Sequence, residues 1–342
     1  MEENLNFQKY LSYKNKYLNL KKIMQKGGNN EISVVSYNVF GTNEKGKHID
    51  KRLPEIVKEI FKNGAPDVIC LQEATQDVID AIVRDYPDYT YRWTKLEEVM
   101  RDEEKKEADG RPQLEPKQLG RLMNEGYMCI LSKIAFKEKV LVYGGSYLDD
   151  GIMKVLIVKN GKLISIYNVH TSGGTFGKLP HVVRSKQIHR IYELGLLNRS
   201  IDDEMHDASR GINKFIIMGD FNYDSNDLDH YPEGKMSPEY IFDELKDVWK
   251  VLKPCVDIGA TEDEVINTFR SSMKIKAPKD LRQCRYDKII SSLTPTVIEM
   301  IGNEAFGEQV VIPGKDETGK KQNKTAQLFP SDHFGLYCKF NL

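Results

Sequence analysis

Six apolar runs in this 342-residue chain end or begin on residue types that bind cations or move protons. The run at 32–37 leads to Asn38, that at 68–71 to Gln72-Glu73, and that at 163–169 to His170. The run at 215–218 leads to Gly219-Asp220-Phe221-Asn222, which sets a carboxylate and an amide two positions apart. Asp287 opens the run at 288–290, and Ser331-Asp332-His333 opens the last one. A single Asp or Asn at a strand end is commonly a turn former or cap, because its side chain bonds nearby backbone. Six such termini together have a second reading. Strand ends converge on a rim, so residues far apart in sequence meet there.

The set suits phosphoryl transfer. Glu73, Asp332 and Asn38 offer hard oxygen atoms, the ligands of Mg²⁺ (or Mn²⁺), which binds through one or two carboxylates and keeps its waters. Asn38 is equally suited to a phosphate oxygen. A cation there would offset charge on the phosphate and the leaving group. Asp220 is the candidate to orient and deprotonate the attacking water, and Asn222 to hold that water or the phosphate. Asp287 beside His333 would fix the imidazole tautomer and keep it cationic. His333 would then donate to a phosphate oxygen, with His170 as a second donor. Arg184, with Lys178, Lys186 and Arg190, either meets phosphates or lies on a solvated helix face. Tyr37, Phe221, Tyr223, Phe269 and Phe334 either stack on a base or ring or pack between strands.

Positioning these residues takes strands in near succession and strands separated by helical patterns, the latter at 50–61, 76–84, 181–197 and 239–245. That mixture predicts an α+β fold of two packed sheets covered by helices, spanning residues 31–342. A charge-dense stretch at 95–118 reads as a solvated insertion, and 314–324 as a second polar loop. Residues 1–30 pattern as a basic amphipathic helix ending at Gly27-Gly28. It is read as a docking helix, a membrane-surface helix or a targeting segment. A formal net charge of −1 excludes a histone-like binder, so any affinity for nucleic acid must come from local charge. Five cysteines without a CxxC pair argue against a zinc cluster or a disulfide framework. Without a signal-peptide core or a membrane-spanning run, the expected location is intracellular, cytoplasmic or nuclear. Nothing in the sequence points to an obligate oligomer.

Five blocks, Ser36-Tyr37-Asn38, Leu71-Gln72-Glu73, Gly219-Asp220-Phe221-Asn222, Arg285-Tyr286-Asp287 and Ser331-Asp332-His333, resemble the signatures of the endonuclease/exonuclease/phosphatase superfamily, in its order. The resemblance implies a DNase I-like four-layer α/β/β/α sandwich of two mixed sheets and a metal-dependent phosphodiesterase. Residues 67–73, 126–128, 247–249, 285–289 and 329–336 are similar to the tyrosyl-DNA phosphodiesterase 2 branch, whose members use Mg²⁺ to remove tyrosine from DNA 5′ ends. By that likeness Glu73 is a metal ligand, Asp220 and Asn222 handle water and phosphate, and His333 is the transition-state donor. The chain departs from the branch at His170, which lies in Val169-His170-Thr171-Ser172-Gly173-Gly174 and not in a Ser-His-Leu-Glu-Ser block. It departs again where a Thr-Trp-Asp-Thr block is reduced to Asn267-Thr268-Phe269. The expected substrate is DNA or a protein–DNA adduct. The alternative is a phosphoinositide or sphingomyelin, which would give the basic N-terminal helix a membrane role. A non-catalytic module is disfavoured, since no candidate metal or base residue is lost. Residues 13–21 with Gly27-Gly28 also resemble leader segments on proteins of large cytoplasmic DNA viruses.

Overall fold

The computed structural model describes residues 30–42, 46–93, 127–137, 141–144, 151–173, 180–191, 214–224, 226–227, 232–253, 257–273, 280–315 and 320–342. The N-terminal segment 1–29 and the insertion 95–118 lie outside the described residues.

Strands β1 (Glu31–Asn38), β2 (Val68–Ala74), β3 (Thr90–Trp93), β4 (Tyr127–Ser132), β13 (Thr294–Ile301) and β16 (Gly335–Asn341) form one sheet in the order β13-β16-β1-β2-β4-β3. The second sheet contains β5 (Leu141–Gly144), β6 (Gly151–Lys159), β7 (Lys162–His170), β8 (Lys214–Asp220), β9 (Lys246–Asp247) and β12 (Asp287–Ser291), ordered β5-β6-β7-β8-β12-β9. Both sheets are mixed. β1 runs parallel to β2 and antiparallel to β16, while β7 runs parallel to β8 and β12 antiparallel to it. β6 returns into β7 through Asn160-Gly161, both at positive φ, as a two-residue hairpin turn demands.

Alternation along each strand assigns its two faces. In β1, Ile32 and Val34 enter the central cluster with Val68, Cys70, Ile164, Ile166, Ile216 and Met218, which packs sheet on sheet. Val35 and Tyr37 point the other way, onto helices α1 (Ile49–Phe61) and α2 (Gln76–Asp85). These helices offer Ile56 and Ile60, and Val78, Ile79 and Ile82, at the spacing of one helical face. On the far side, Tyr167, Phe215, Ile217 and Ile290 of the second sheet meet Ile188 and Ile191 of α3 (Pro180–Ile191). The result is helices, sheet, sheet, helix, as expected for two packed sheets. No described helix is long and apolar enough to cross a membrane.

Two expectations are corrected. The stretch 314–324 is not a loop throughout: β14 (Phe306–Lys315) and β15 (Lys321–Leu328) pair antiparallel, from Gly314↔Gln322 and Lys315↔Lys321 up to Phe306↔Leu328. The inner side of this ribbon carries Val310, Ile312, Ala326 and Leu328, buried with Phe269, while Val311, Asn323 and Thr325 are exposed on the other. The pattern at 239–245 gives only the four-residue helix α4 (Pro238–Ile241), with Phe242 already extended. The chain has to straighten there so that Asp247 can pair with Ile290 at the sheet edge. The pattern at 181–197 is helical through Ile191, and residues 192–197 lie outside the described residues.

Candidate active site

The strand registers carry the site residues to one rim. Asn38 lies beside Gln72 at the end of the β1–β2 pair, and His170 beside Asp220 at the end of β7–β8. Asp287 begins β12 opposite that same Asp220. Asp332 and His333 precede β16, where Ser331 Oγ donates to the Asn38 carbonyl at 2.7 Å. The rim thus collects Asn38, Glu73, His170, Asp220, Asn222, Asp287, Asp332 and His333 from both sheets.

Asn38 ties the sheets together. Its Nδ2 donates to Glu73 Oε1 at 3.0 Å and to Asp220 Oδ2 at 3.1 Å, while Oδ1 accepts from the Phe40 N–H at 3.2 Å. The opposite amide orientation would set oxygen against two carboxylates and N–H against N–H, so the network fixes the assignment. The two carboxylates thus take both Nδ2 hydrogens, and Asn38 serves the rim by fixing Glu73 and Asp220 against each other. Asp220 is held at both oxygens, Oδ2 by Asn38 and Oδ1 by the Asn222 N–H at 2.8 Å. Asn222 itself donates from Nδ2 to the Thr171 carbonyl at 2.7 Å, so it braces the Asp220 turn against the end of β7. Gly219 is required before that turn, because a Cβ there would stand 1.8 Å from the Val169 carbonyl oxygen.

His333 is gripped from behind. Nδ1 donates to Asp287 Oδ2 at 2.8 Å, and Nε2 faces Glu262 Oε2 at 3.6 Å and Asp220 Oδ2 at 3.9 Å. Burial works against charge on this imidazole, yet Asp287 and then Asp220 outweigh it and hold His333 well above the ordinary histidine range. Thr261 Oγ1 accepts from the Asp287 N–H at 2.9 Å and steadies the carboxylate's backbone. His170 Nε2 lies 3.7 Å from Asp220 Oδ2, the oxygen that His333 also faces, and 3.8 Å from Glu73 Oε1.

Glu73 has its acid pushed up to about 7, chiefly by burial, with His170 opposing and the negative charge of Asp332 adding. Crowded carboxylates of this kind are relieved by a cation, and the hard oxygen atoms of Glu73 and Asp332 fit Mg²⁺ or Mn²⁺. Asp220, Asp287 and His333 also place one ligand-type atom each within 4.8 Å of one another. That second set suits a metal less well, because Asp287 and Asp220 keep His333 cationic and its Nε2 would have to lose a proton before binding one.

Two candidates do not reach the rim as substrate contacts. Arg184 is buried, and its Nε and Nη2 bond Glu233 Oε1 at 2.7 and 2.6 Å while Nη1 donates to the Ser172 carbonyl at 3.2 Å. Its charge is met by Glu233, and it braces the loop after His170. Phe269 is fully buried, edge-on to Phe40 with centroids 6.1 Å apart and 5.1 Å from the Arg52 guanidinium. Tyr37, Phe221, Tyr223 and Phe334 are likewise buried packing residues. Lys186 is exposed, while Lys178 and the side chain of Arg190 lie outside the described residues.

Other contributors gave no signal in the sequence. Glu262 and Arg270 flank His333 and Asp332, and Arg270 bonds both Glu262 and Asp332. Between the sheets, Gln72 Nε2 donates to Asn168 Oδ1 at 2.6 Å, and Asn168 Nδ2 donates to the carbonyls of Leu71 and Cys129 at 2.8 and 3.0 Å. These buried amides precede Glu73 and His170 by one and two residues and lock the two halves of the rim together.

Comparison with known proteins bears on the fold and the family. TDP2 of D. rerio, complexed with single strand DNA product, superposes with a TM-score of 0.60 at 16% identity, covering 92% of this chain and 100% of that one. TDP2 of C. elegans gives 0.59 at 18% identity, over 91% of this chain and 75% of that one. A beta toxin of Staphylococcus aureus gives 0.53 at 18% identity, over 90% and 99%. No curated protein sequence matches the chain. At these identities the structural likeness shows the fold. The sequence model of the endonuclease/exonuclease/phosphatase family, however, matches residues 35–270, more than half of the chain, and the chain belongs to that family.

Proposed function

We propose that the protein is a divalent-metal-dependent phosphodiesterase that hydrolyses a phosphoester in DNA, at a 5′ end or in a protein–DNA adduct. The observation that carries the reading is the grip on Asp220 and His333. One carboxylate is fixed at both oxygens by Asn38 and Asn222, and faces an imidazole kept cationic by Asp287. Asp220 orients the attacking water and takes its proton. His333 donates from Nε2 to a phosphate oxygen, and His170 adds a donor where negative charge develops. Mg²⁺ or Mn²⁺ held by Glu73 and Asp332 would supply positive charge to the phosphate and the departing oxygen. DNA as substrate is supported by the likeness to the D. rerio protein complexed with single strand DNA product.

The test offers the purified protein a 5′-phosphotyrosyl oligonucleotide, an abasic duplex, plain DNA and a phosphoinositide, each with Mg²⁺ and with chelator. Glu73→Ala and Asp220→Asn are run alongside. Turnover of an oligonucleotide that is lost in chelator and in both variants is expected. Activity surviving chelation would sink the metal mechanism, and turnover of the lipid alone would overturn the DNA reading.

A further inference from the structure

Arg270 is a rim residue whose charge cannot be switched off, because a guanidinium stays protonated throughout the working range of a protein. It lies in α6 (Thr268–Ser272), where Nη1 binds Asp332 Oδ2 and Nη2 binds Glu262 Oε2. Two contacts from one neighbour fix this placement. Asn267 Oδ1 accepts from the Arg270 N–H at 3.0 Å, and Asn267 Nδ2 donates to the Ser331 carbonyl at 2.9 Å. The asparagine that caps α6 therefore also holds the residue preceding Asp332, so arginine and carboxylate are brought together by the backbone on both sides. Burial opposes charge on Arg270, but Asp332 and Glu262 outweigh it, and the charge of Glu73 adds to their effect. Arg270 thus interacts with both carboxylates assigned above to a metal ion.

The surrounding charges are unbalanced without it. Glu73, Asp220, Glu262, Asp287 and Asp332 crowd one edge, and Arg270 is the guanidinium that bonds two of these carboxylates directly. A divalent ion at Glu73 and Asp332 would sit beside this guanidinium and be repelled by it, in surroundings where such terms are stronger than in water. We propose that Arg270 is a resident counter-charge that sets the affinity of the Glu73–Asp332 pair for divalent cations, weakening binding while keeping the carboxylates in place without metal. The inference rests on the metal-dependent reading given above.

Calorimetric titration of chelator-treated full-length protein with Mg²⁺, and separately with Mn²⁺, tests it without any substrate. Melting temperature in chelator is recorded in parallel. Arg270→Gln should melt lower than wild type in chelator yet bind Mg²⁺ about tenfold or more tightly, and Arg270→Lys should bind close to wild type. Glu262→Gln leaves Arg270 to act on Asp332 alone, so it should bind about tenfold more weakly. It carries the test if Arg270→Gln does not fold. Unchanged or weaker binding by folded Arg270→Gln, or unchanged binding by Glu262→Gln, overturns the inference while leaving the metal mechanism standing. A wild-type protein that binds neither cation overturns both.

Discussion

Replacing Arg52 with methionine removes a fully buried guanidinium that fastens two loops of the rim to each other. Nε donates to the Lys47 carbonyl at 2.8 Å, Nη1 to those of Val39 at 3.2 Å and Pro330 at 2.9 Å, and Nη2 to that of Phe40. Val39 and Phe40 follow Asn38, and Pro330 precedes Ser331-Asp332-His333. A hydrogen bond from a charged donor contributes about 1.5–3 kcal/mol, and losing it leaves a buried acceptor unmet. The Val39 and Pro330 bonds are fully buried, so counting those two alone gives roughly 3–6 kcal/mol. Methionine recovers part of this, because burial already disfavours the charge on Arg52 and pulls its pKa down to about 10. The net expected loss is about 3–4 kcal/mol. Urea unfolding of wild type, Arg52→Met and Arg52→Lys in chelator measures it. The lysine should fall in between, since one ammonium cannot reproduce the fork that reaches four carbonyls. A folded Arg52→Met within about 1 kcal/mol of wild type would refute the reasoning.

Two further outcomes follow from the same geometry. In Asp287→Asn, His333 loses the partner that most raises its pKa. With a raised folded pKa, the stability and the donor proton that His333 supplies are fully present below about 6.5 and are lost as pH rises through the folded value. The alkaline limb of the pH–rate profile should therefore move toward neutrality by at least about one unit, and an unmoved limb would show that His333 is not the titrating donor. Arg184→Met strands Glu233 in the interior and should cost about 3–5 kcal/mol in urea unfolding with little change in KM for an oligonucleotide. A raised KM at unchanged stability would return Arg184 to the substrate.

The rim was legible because each strand that builds it is an apolar run ending on a polar residue, and strand ends must gather. Asn38, His170, Asp220, Asp287 and His333 were readable for that reason. The sequence leaves Arg184 and Phe269 open between substrate and packing, because nearness to a motif says nothing about what lies across from a side chain. Glu233 answers the charge of Arg184, and Phe40 and Arg52 cover Phe269. Arg52, Asn168, Glu262 and Arg270 were invisible for a related reason. Each acts through contacts with chain more than a strand away, or inside a segment too short to show a period. The ribbon of β14 and β15 is hard to read because Lys, Gln and Asn fill positions 320–324, and that composition outweighs the alternation of Val310, Ile312, Ala326 and Leu328.

Glu73 shows best what periodicity cannot supply. In β2, Cys70 packs between the sheets and Leu71 packs outward under the helices. Gln72 points inward again to Asn168, so alternation sends Glu73 outward, away from the rim. Instead the β2–β4 register breaks between Leu71 and Ala74, and Glu73 takes φ 53°, a left-handed conformation that costs a residue with a Cβ about 1–2 kcal/mol. The turn delivers its carboxylate to the Asn38 amide. Its own carbonyl accepts from the Gly41 N–H at 2.8 Å, where a Cβ on residue 41 would come within 2.7 Å of that oxygen. Phe40 and Asn222, also at the rim, have φ of 45° and 50°. These three positions collect where the chain has to leave regular strand geometry to aim polar groups at one point, and the amide pair of Gln72 and Asn168 sits where it offsets that cost. A straight β2 would be easier to fold, and would put Glu73 beneath α1 and α2 with no access to the phosphate.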